Sequence, residues 1–270
     1  MISVASDVVT PVLLGIVEGV TEYLPVSSTG HLMLATELLG YDAEKWALFN
    51  IAIQPGAILA IVVLYWRTFW DVFIGLFSWD PKALAFVRNL LLAFLPAVVL
   101  GLAYGDYIEA LLENVVVVCW ALIVGGFAIL LVERLARPRE SGGVAEVGTL
   151  TSLLIGLVQC LAMVPGVSRS GATILGAMTF GVDRKTAAEF SFFLAVPTLS
   201  GATALQLYKH GEAMTATDME AIAIGFVVSF VVALVVVKGF VAIVSKIGFA
   251  PFAWYRIVAG AAGLLWLSAK

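Results

Sequence analysis

"GIVEGVTEYLPVSSTGHLML", residues 15–34, is the stretch on which the reading of this chain turns. Its flanks are apolar enough for a bilayer. Its centre carries Glu18, Glu22, Pro25, three successive hydroxyls (Ser27, Ser28, Thr29) and His31. Irregular backbone and charge at membrane depth survive only when buried in protein or lining a wet cavity. The run ending at Leu24-Pro25 and the run beginning near Ser28 are each short for a full crossing. Residues 8–40 therefore read as a re-entrant hairpin: helix in, polar tip at mid-membrane, helix out. Two ordinary spans are the alternative. A shift of 141 residues lays "GLVQCLAMVPGVSRSGATIL" (156–175) on the first stretch without a gap. Gly15/Gly156, Val17/Val158, Val26/Val167, Ser27/Ser168, Gly30/Gly171 and Leu34/Leu175 are identical. Glu18 falls on Gln159, Thr29 on Ser170 and, further on, Phe49 on Phe190. Residues 149–181, broken at "PGVSRSG" (165–171), form the second hairpin.

Between and after the hairpins lie six runs long enough for a bilayer core of about 30 Å. They are 46–66, 89–105 (after a loop), 115–132, 190–208, 221–237 and 247–269. Pro55, Pro96 and Pro197 fall inside spans and are expected to kink them. Each half is then one hairpin plus three crossings, an odd number, so the second half is upside down. The expected fold is an all-α polytopic membrane protein with an inverted-topology repeat. It is one membrane domain over 1–270, with repeat 1 about 1–140 and repeat 2 about 141–270. In such repeats the site lies near the midplane, where the broken helices meet.

Composition agrees. Of 270 residues 61% are hydrophobic and 13% charged, with mean hydropathy +1.04. Soluble domains are about half apolar and a quarter charged. Continuous rather than alternating runs exclude a β-barrel. The net charge of −4 carries little information, and no nucleic-acid partner is expected. Cys119 and Cys160 lie in apolar runs and do not suggest a disulfide. No basic n-region of a signal peptide is evident, and the first charge is Asp7. One side would hold Arg67, Lys82, Arg88, Arg134, Arg137, Arg139, Arg184, Lys185, Lys238 and Lys246, the other only Lys45, Lys209 and Lys270. Arg169 and Arg256 fall within the membrane. The positive-inside rule makes the first side cytoplasmic and both termini periplasmic. Gly125-Gly126 and "AGAAG" (259–263) suit helix packing within the chain or in a homodimer.

The breaks carry the chemistry. Glu18 and Glu22, four apart, share a helix face. A membrane carboxylate is a functional hypothesis by default, and two repel unless a cation or proton lies between them. Oxygen ligands suit Mg²⁺ or Ca²⁺. Two glutamates at a wet helix end are the bland alternative. Ser27, Ser28 and Thr29 precede a helix, where free N–H groups and the dipole attract phosphate. Capping explains one hydroxyl; the surplus and His31 suggest a nucleophile with a general base or acid, although a lone histidine can simply pack. Arg169 offers a planar fork for phosphate oxygens, or a buried pair with Glu18 or Glu22. Ser168, Ser170 and Thr173 add hydroxyls nearby. Together these residues describe a metal-assisted phosphate or pyrophosphate site for a substrate with an anionic head and a lipid tail.

"EGVTEYLPVSSTGH" and "PGVSRSGAT" closely resemble the two signature motifs of the undecaprenyl pyrophosphate phosphatase family, UppP or BacA. The resemblance covers essentially the whole chain. It implies an enzyme of the bacterial cytoplasmic membrane that dephosphorylates undecaprenyl pyrophosphate. That reaction recycles the carrier lipid of peptidoglycan synthesis and confers bacitracin resistance. The family's acidic pair matches Glu18 and Glu22, its serine nucleophile Ser28, its histidine His31 and its phosphate-binding arginine Arg169. The expected mechanism has Glu18 and Glu22 holding the divalent cation. Arg169 and the helix starts hold oxygens, and Ser28 attacks while Glu22 or His31 takes its proton. Direct attack by metal-activated water is the variant. The competing class is a lipid-phosphate transporter on the same inverted-repeat site, which would need no nucleophile.

Overall fold

The structure is a computed structural model that describes residues 8–41, 43–111, 114–137, 139–210 and 216–269. The side chain of Lys45, Lys270 and the stretch 1–7 with Asp7 lie outside the described residues. Eleven α-helices are present among those described. α1 (Val9–Thr21) and α2 (Ser28–Leu38) flank the first break. α7 (Thr149–Gln159), a 3-10 turn (Cys160–Met163) and α8 (Arg169–Thr179) flank the second. At 1.5 Å per residue these arms reach roughly 16–20 Å, well short of a bilayer core.

Six further helices are long and apolar enough to cross a membrane: α3 (Ala43–Leu64), α5 (Pro81–Leu111), α6 (Val115–Leu135), α9 (Arg184–His210), α10 (Ala216–Ile247) and α11 (Ala250–Ser268). The chain is a multi-pass helical membrane protein. Helices α3, α5 and α9 run on through Pro55, Pro96 and Pro197. The backbone of α5 leaves helical geometry at Tyr104 instead (φ −127°, ψ 21°).

The interval read as a loop after residue 66 holds α4 (Trp66–Phe77), which has no counterpart among the described residues of the second half. Trp66, Trp70, Phe73 and Phe77 recur at helical spacing and are all exposed. Twelve residues cannot span a bilayer, and an aromatic stripe of this kind suits its interface. The sequence signal was the spacing, hidden by short length and by Arg67 and Asp71.

α1 lies on α10 while α7 lies on α5, α3 meets α9, and α6 meets α11. Glycines set the first two contacts. A Cβ on Gly15 would stand 2.7 Å from the Gly225 carbonyl oxygen, and one on Gly156 would stand 2.7 Å from Ala93 Cα. Gly126 and Gly260 likewise close α6 on α11, against the Ala253 and Cys119 carbonyls, so these small residues are used within the chain. The central core is aromatic: Phe190, Phe192 and Phe193 of α9 with Tyr23, Phe240 and Phe249. Gly156→Leu is expected to lower the unfolding temperature in detergent, because overpacking against backbone costs about 1–3 kcal/mol or more. An unchanged temperature would contradict the α5–α7 contact.

Candidate active site

Both breaks end in the same backbone device. Ser27 (φ 72°, ψ 93°) and Ser168 (φ 78°, ψ 117°) occupy positive-φ conformations that are uncommon for side-chain-bearing residues. Each caps the helix it precedes: Ser27 Oγ accepts from Gly30 N at 3.3 Å, and Ser168 Oγ from Gly171 N at 3.0 Å. The next residues, Ser28 and Arg169, open α2 and α8. A helix start has N–H groups with no carbonyl one turn back. Two such starts therefore converge on one point.

Glu22 joins them. Its Oε1 accepts from Arg169 Nη2 at 2.9 Å, and its Oε2 accepts the Ser28 hydroxyl. The Arg169 and Glu22 side chains are 10% and 4% exposed, so this pair is screened little by water. Arg169 Nη1 also donates to Ser191 O at 2.7 Å, and its guanidinium lies 5.8 Å from the centroid of the Tyr23 ring. Tyr23 is anchored by donation to Ala57 O at 3.0 Å. Nε of Arg169 is buried with no acceptor among the described residues.

A cavity of about 460 Å³ stands over this junction. Glu22, Ser27, Ser28, Thr29, Ser168 and Arg169 line its polar end. Its walls are apolar, from Phe94, Ala97, Val98, Gly101 and Leu102 of α5 and Leu199, Ala202 and Leu205 of α9. Lys209 lines it too, and a smaller cavity of about 240 Å³ beside Tyr104 shares Gly101, Gly105 and Lys209.

The remaining expected residues stand elsewhere. Ser170 Oγ donates to Leu24 O at 2.7 Å, tying the second break to the first, and Thr173 Oγ1 reaches Ser191 Oγ at 2.7 Å. Both fasten the site from outside the cavity rather than lining it. His31 is turned away from Ser28. Its Nδ1–H donates to Ser27 O at 2.8 Å and its Nε2 accepts from Tyr255 OH at 2.8 Å, with the two rings stacked. The expectation that His31 takes the Ser28 proton is not carried by these contacts, because the hydroxyl already points at Glu22. The carbonyl one turn back captures the imidazole first.

Glu18 is fully buried, and neither of its oxygens has a hydrogen-bond partner among the described residues. It lies one turn before Glu22 and does not line the cavity. No group of three or more His, Cys, Asp or Glu able to hold a metal occurs among the described residues. Mg²⁺ commonly takes only one or two carboxylates and completes its shell with water and substrate oxygens. An unsatisfied carboxylate beside Glu22 fits that donor chemistry.

The family model described as bacitracin resistance protein BacA matches residues 11–262. The chain belongs to the BacA family. A relative from Novosphingobium aromaticivorans named undecaprenyl-diphosphatase is 59% identical over 97% of this chain and 99% of its own length. Relatives of that name from Sphingopyxis alaskensis and Bradyrhizobium diazoefficiens are 58% and 53% identical, covering 98% and 97% of this chain and 99% and 98% of their own.

In this BacA-family site, sequence reasoning missed Tyr23, Ser191 and Gln54. Tyr23 and Ser191 position Arg169, and Gln54 lines the cavity. The available signal was polarity inside spans: Ser191 and its repeat counterpart Asn50 are buried polar residues in otherwise apolar helices.

Proposed function

We propose that this protein is an undecaprenyl-diphosphatase of the bacterial cytoplasmic membrane, converting undecaprenyl pyrophosphate to undecaprenyl phosphate and inorganic phosphate. The observation that carries the reading is the Ser28–Glu22–Arg169 junction at the end of an apolar-walled cavity. A nucleophile, its proton acceptor and a cation that orients the acceptor are what a covalent phosphoryl transfer requires. A lipid carrier needs charge complementarity but no hydroxyl poised on a carboxylate, so hydrolysis accounts for more of the site than transport.

In the proposed mechanism the pyrophosphate lies against the two helix starts, with the isoprenoid between α5 and α9. Arg169 holds Glu22 by Oε1, leaving Oε2 aimed at Ser28. Glu22 takes the hydroxyl proton as Ser28 Oγ bonds the terminal phosphorus and the bond to the bridging oxygen breaks. Undecaprenyl phosphate leaves with the proton that Glu22 took. Water then gives a proton to Glu22 as its oxygen bonds the phosphoserine phosphorus; the P–Oγ bond breaks, Glu22 returns the proton to Ser28 Oγ, and inorganic phosphate is released. Arg169 Nε and the first-turn N–H groups of α2 and α8 offer donors to the equatorial oxygens, where charge is spread in the transition state. A divalent cation, Mg²⁺ or Ca²⁺, would be held by Glu22 at the cavity with Glu18 one turn behind it, and would supply further neutralisation of pyrophosphate charge.

The finer architecture belongs to the same proposal. The two broken regions are re-entrant hairpins, and the halves are related by an axis in the membrane plane. Support comes from the exchange of neighbours, α1 on α10 against α7 on α5, and from the matched backbone of Ser27 and Ser168. The charge distribution supports a periplasmic side for both termini. Removal of the pyrophosphate that bacitracin binds would make abundance of the protein protective.

The deciding experiment is phosphate release from a prenyl pyrophosphate by purified protein in detergent, where no transport is possible. Turnover is expected, lost on chelation and restored by Mg²⁺ or Ca²⁺. Absence of phosphate release under all metal conditions rejects the reading, and full activity in chelator rejects the cation.

The cavity wall gives a further expectation. A Cβ on Gly101 meets nothing nearer than Met163 Cε at 3.9 Å, so a side chain there has room to fold but projects toward the cavity. Gly101→Leu is expected to raise KM for undecaprenyl pyrophosphate by about 10–200-fold, the range over which pocket shape discriminates apolar groups. KM for a short prenyl pyrophosphate should move much less. Equal shifts for both would place the lipid tail elsewhere.

A further inference from the structure

Arg256 of α11 is 1% exposed and far in sequence from every residue of the cavity, yet all five of its N–H groups are engaged. Nη1 donates to Pro25 O at 2.9 Å and to Val167 O at 3.0 Å. Nη2 donates to Gly166 O at 2.8 Å and to Ala121 O at 3.0 Å, and Nε reaches Leu122 O at 3.3 Å. Every acceptor is a backbone carbonyl. One lies in the first break, two in the second, and two belong to α6.

The chain makes room for this contact. A Cβ on Gly125 would stand 2.7 Å from Arg256 Cζ, and one on Gly171 would stand 3.5 Å from Nη1. A planar fork of five donors spans two loops and a helix at once, which an ammonium with three donors cannot match. The grip also sets direction. In a trans peptide C=O and N–H point opposite ways. With Val167 O held by Arg256, the Ser168 N–H is aimed away from it, and Ser168 lines the cavity. The neighbouring residue acts on the first break by a second route: Tyr255 OH bonds His31 Nε2, whose other nitrogen holds Ser27 O.

We propose that Arg256, assisted by Tyr255, is the positioning element of the site: it locks the two breaks at the spacing that puts Ser28 and Arg169 on one phosphate. Neither residue lines the cavity. Their contribution is therefore to the rate of the chemical step, through the placement of Glu22, Ser28 and Arg169, rather than to substrate capture. This rests on the phosphatase reading, and wild-type turnover in the same assay tests that reading separately.

The test uses full-length protein in detergent, with phosphate release from a prenyl pyrophosphate and thermal unfolding measured together. Arg256→Lys keeps the charge but cannot bridge all five carbonyls. Its kcat is expected to fall about 100-fold, the cost of roughly 1 Å of misplacement, with KM within threefold of wild type. In that background Arg169→Ala should cost at least tenfold less than it does in the wild type, because Arg169 is already out of register. Gly75→Ala crowds the α4–α5 contact at Ala83 Cβ, away from Arg256 and from both breaks. It should lower the unfolding temperature and leave kcat unchanged. If Arg256→Lys does not fold, Tyr255→Phe decides: a fall in kcat of about fivefold at unchanged unfolding temperature supports the proposal. Wild-type kcat in the folded variant, or independent, multiplying effects of residues 169 and 256, would overturn it.

Discussion

Ser28→Ala is expected to reduce kcat for phosphate release by about 10⁴-fold or more, the scale on which loss of a nucleophile within a coupled catalytic unit is felt. The substitution removes the atom that bonds phosphorus and leaves the rest of the polar end in place. Ser28 is 7% exposed and its hydroxyl donates to Glu22 Oε2. Loss of that one bond to a carboxylate should cost about 1.5–3 kcal/mol of stability. KM should stay near wild type, because Arg169 and the helix starts still bind the head group. Single-turnover phosphate release with a thermal-unfolding control checks both parts. Residual kcat within tenfold of wild type would exclude Ser28 as nucleophile and leave direct attack by water as the route.

Arg169→Ala has the second largest expected effect, for two separable reasons. A cation on the transferring phosphoryl group is worth about 10³–10⁵ in kcat. Its removal also leaves Glu22 buried without its partner, and breaking a buried pair in this way costs about 3–5 kcal/mol. The variant should therefore be both slow and less stable. Arg169→Lys restores charge but cannot hold Glu22 Oε1 and Ser191 O together while still offering Nε. It should recover stability in part and very little rate. Pairing Arg169→Met with Glu22→Gln removes both charges, and its unfolding temperature should exceed that of Arg169→Ala alone. A lysine variant with wild-type kcat would reduce Arg169 to a point charge and remove the geometric argument.

Much of the polar end was legible because a bilayer makes polarity conspicuous. Glu18, Glu22, Ser28 and Arg169 stand out where each costs free energy to bury, and the 141-residue offset puts Ser28 and Arg169 at matching positions. The six long helices were legible for the same reason, as continuous apolar runs. Helix α4 was not, because twelve residues with two charges carry too little hydropathy to be seen.

What the sequence by itself determined is which residues must be sheltered and where regular helix must stop: Pro, Gly and hydroxyls at 25–30 and 165–171 end one helix and begin the next through local backbone preference. Which of those residues share a surface was decided only by the tertiary structure. His31 is three residues from Ser28, yet it bonds Ser27 O and Tyr255 of α11, while Arg169, far along the chain, reaches Glu22. The choice among Glu18, Glu22 and His31 as partners of Ser28 and Arg169 depends on side-chain direction and on which carbonyls the opposing helix presents. Those are properties of packed helices, set by contacts such as Gly156 on Ala93 and Arg256 on both breaks, and no local pattern encodes them.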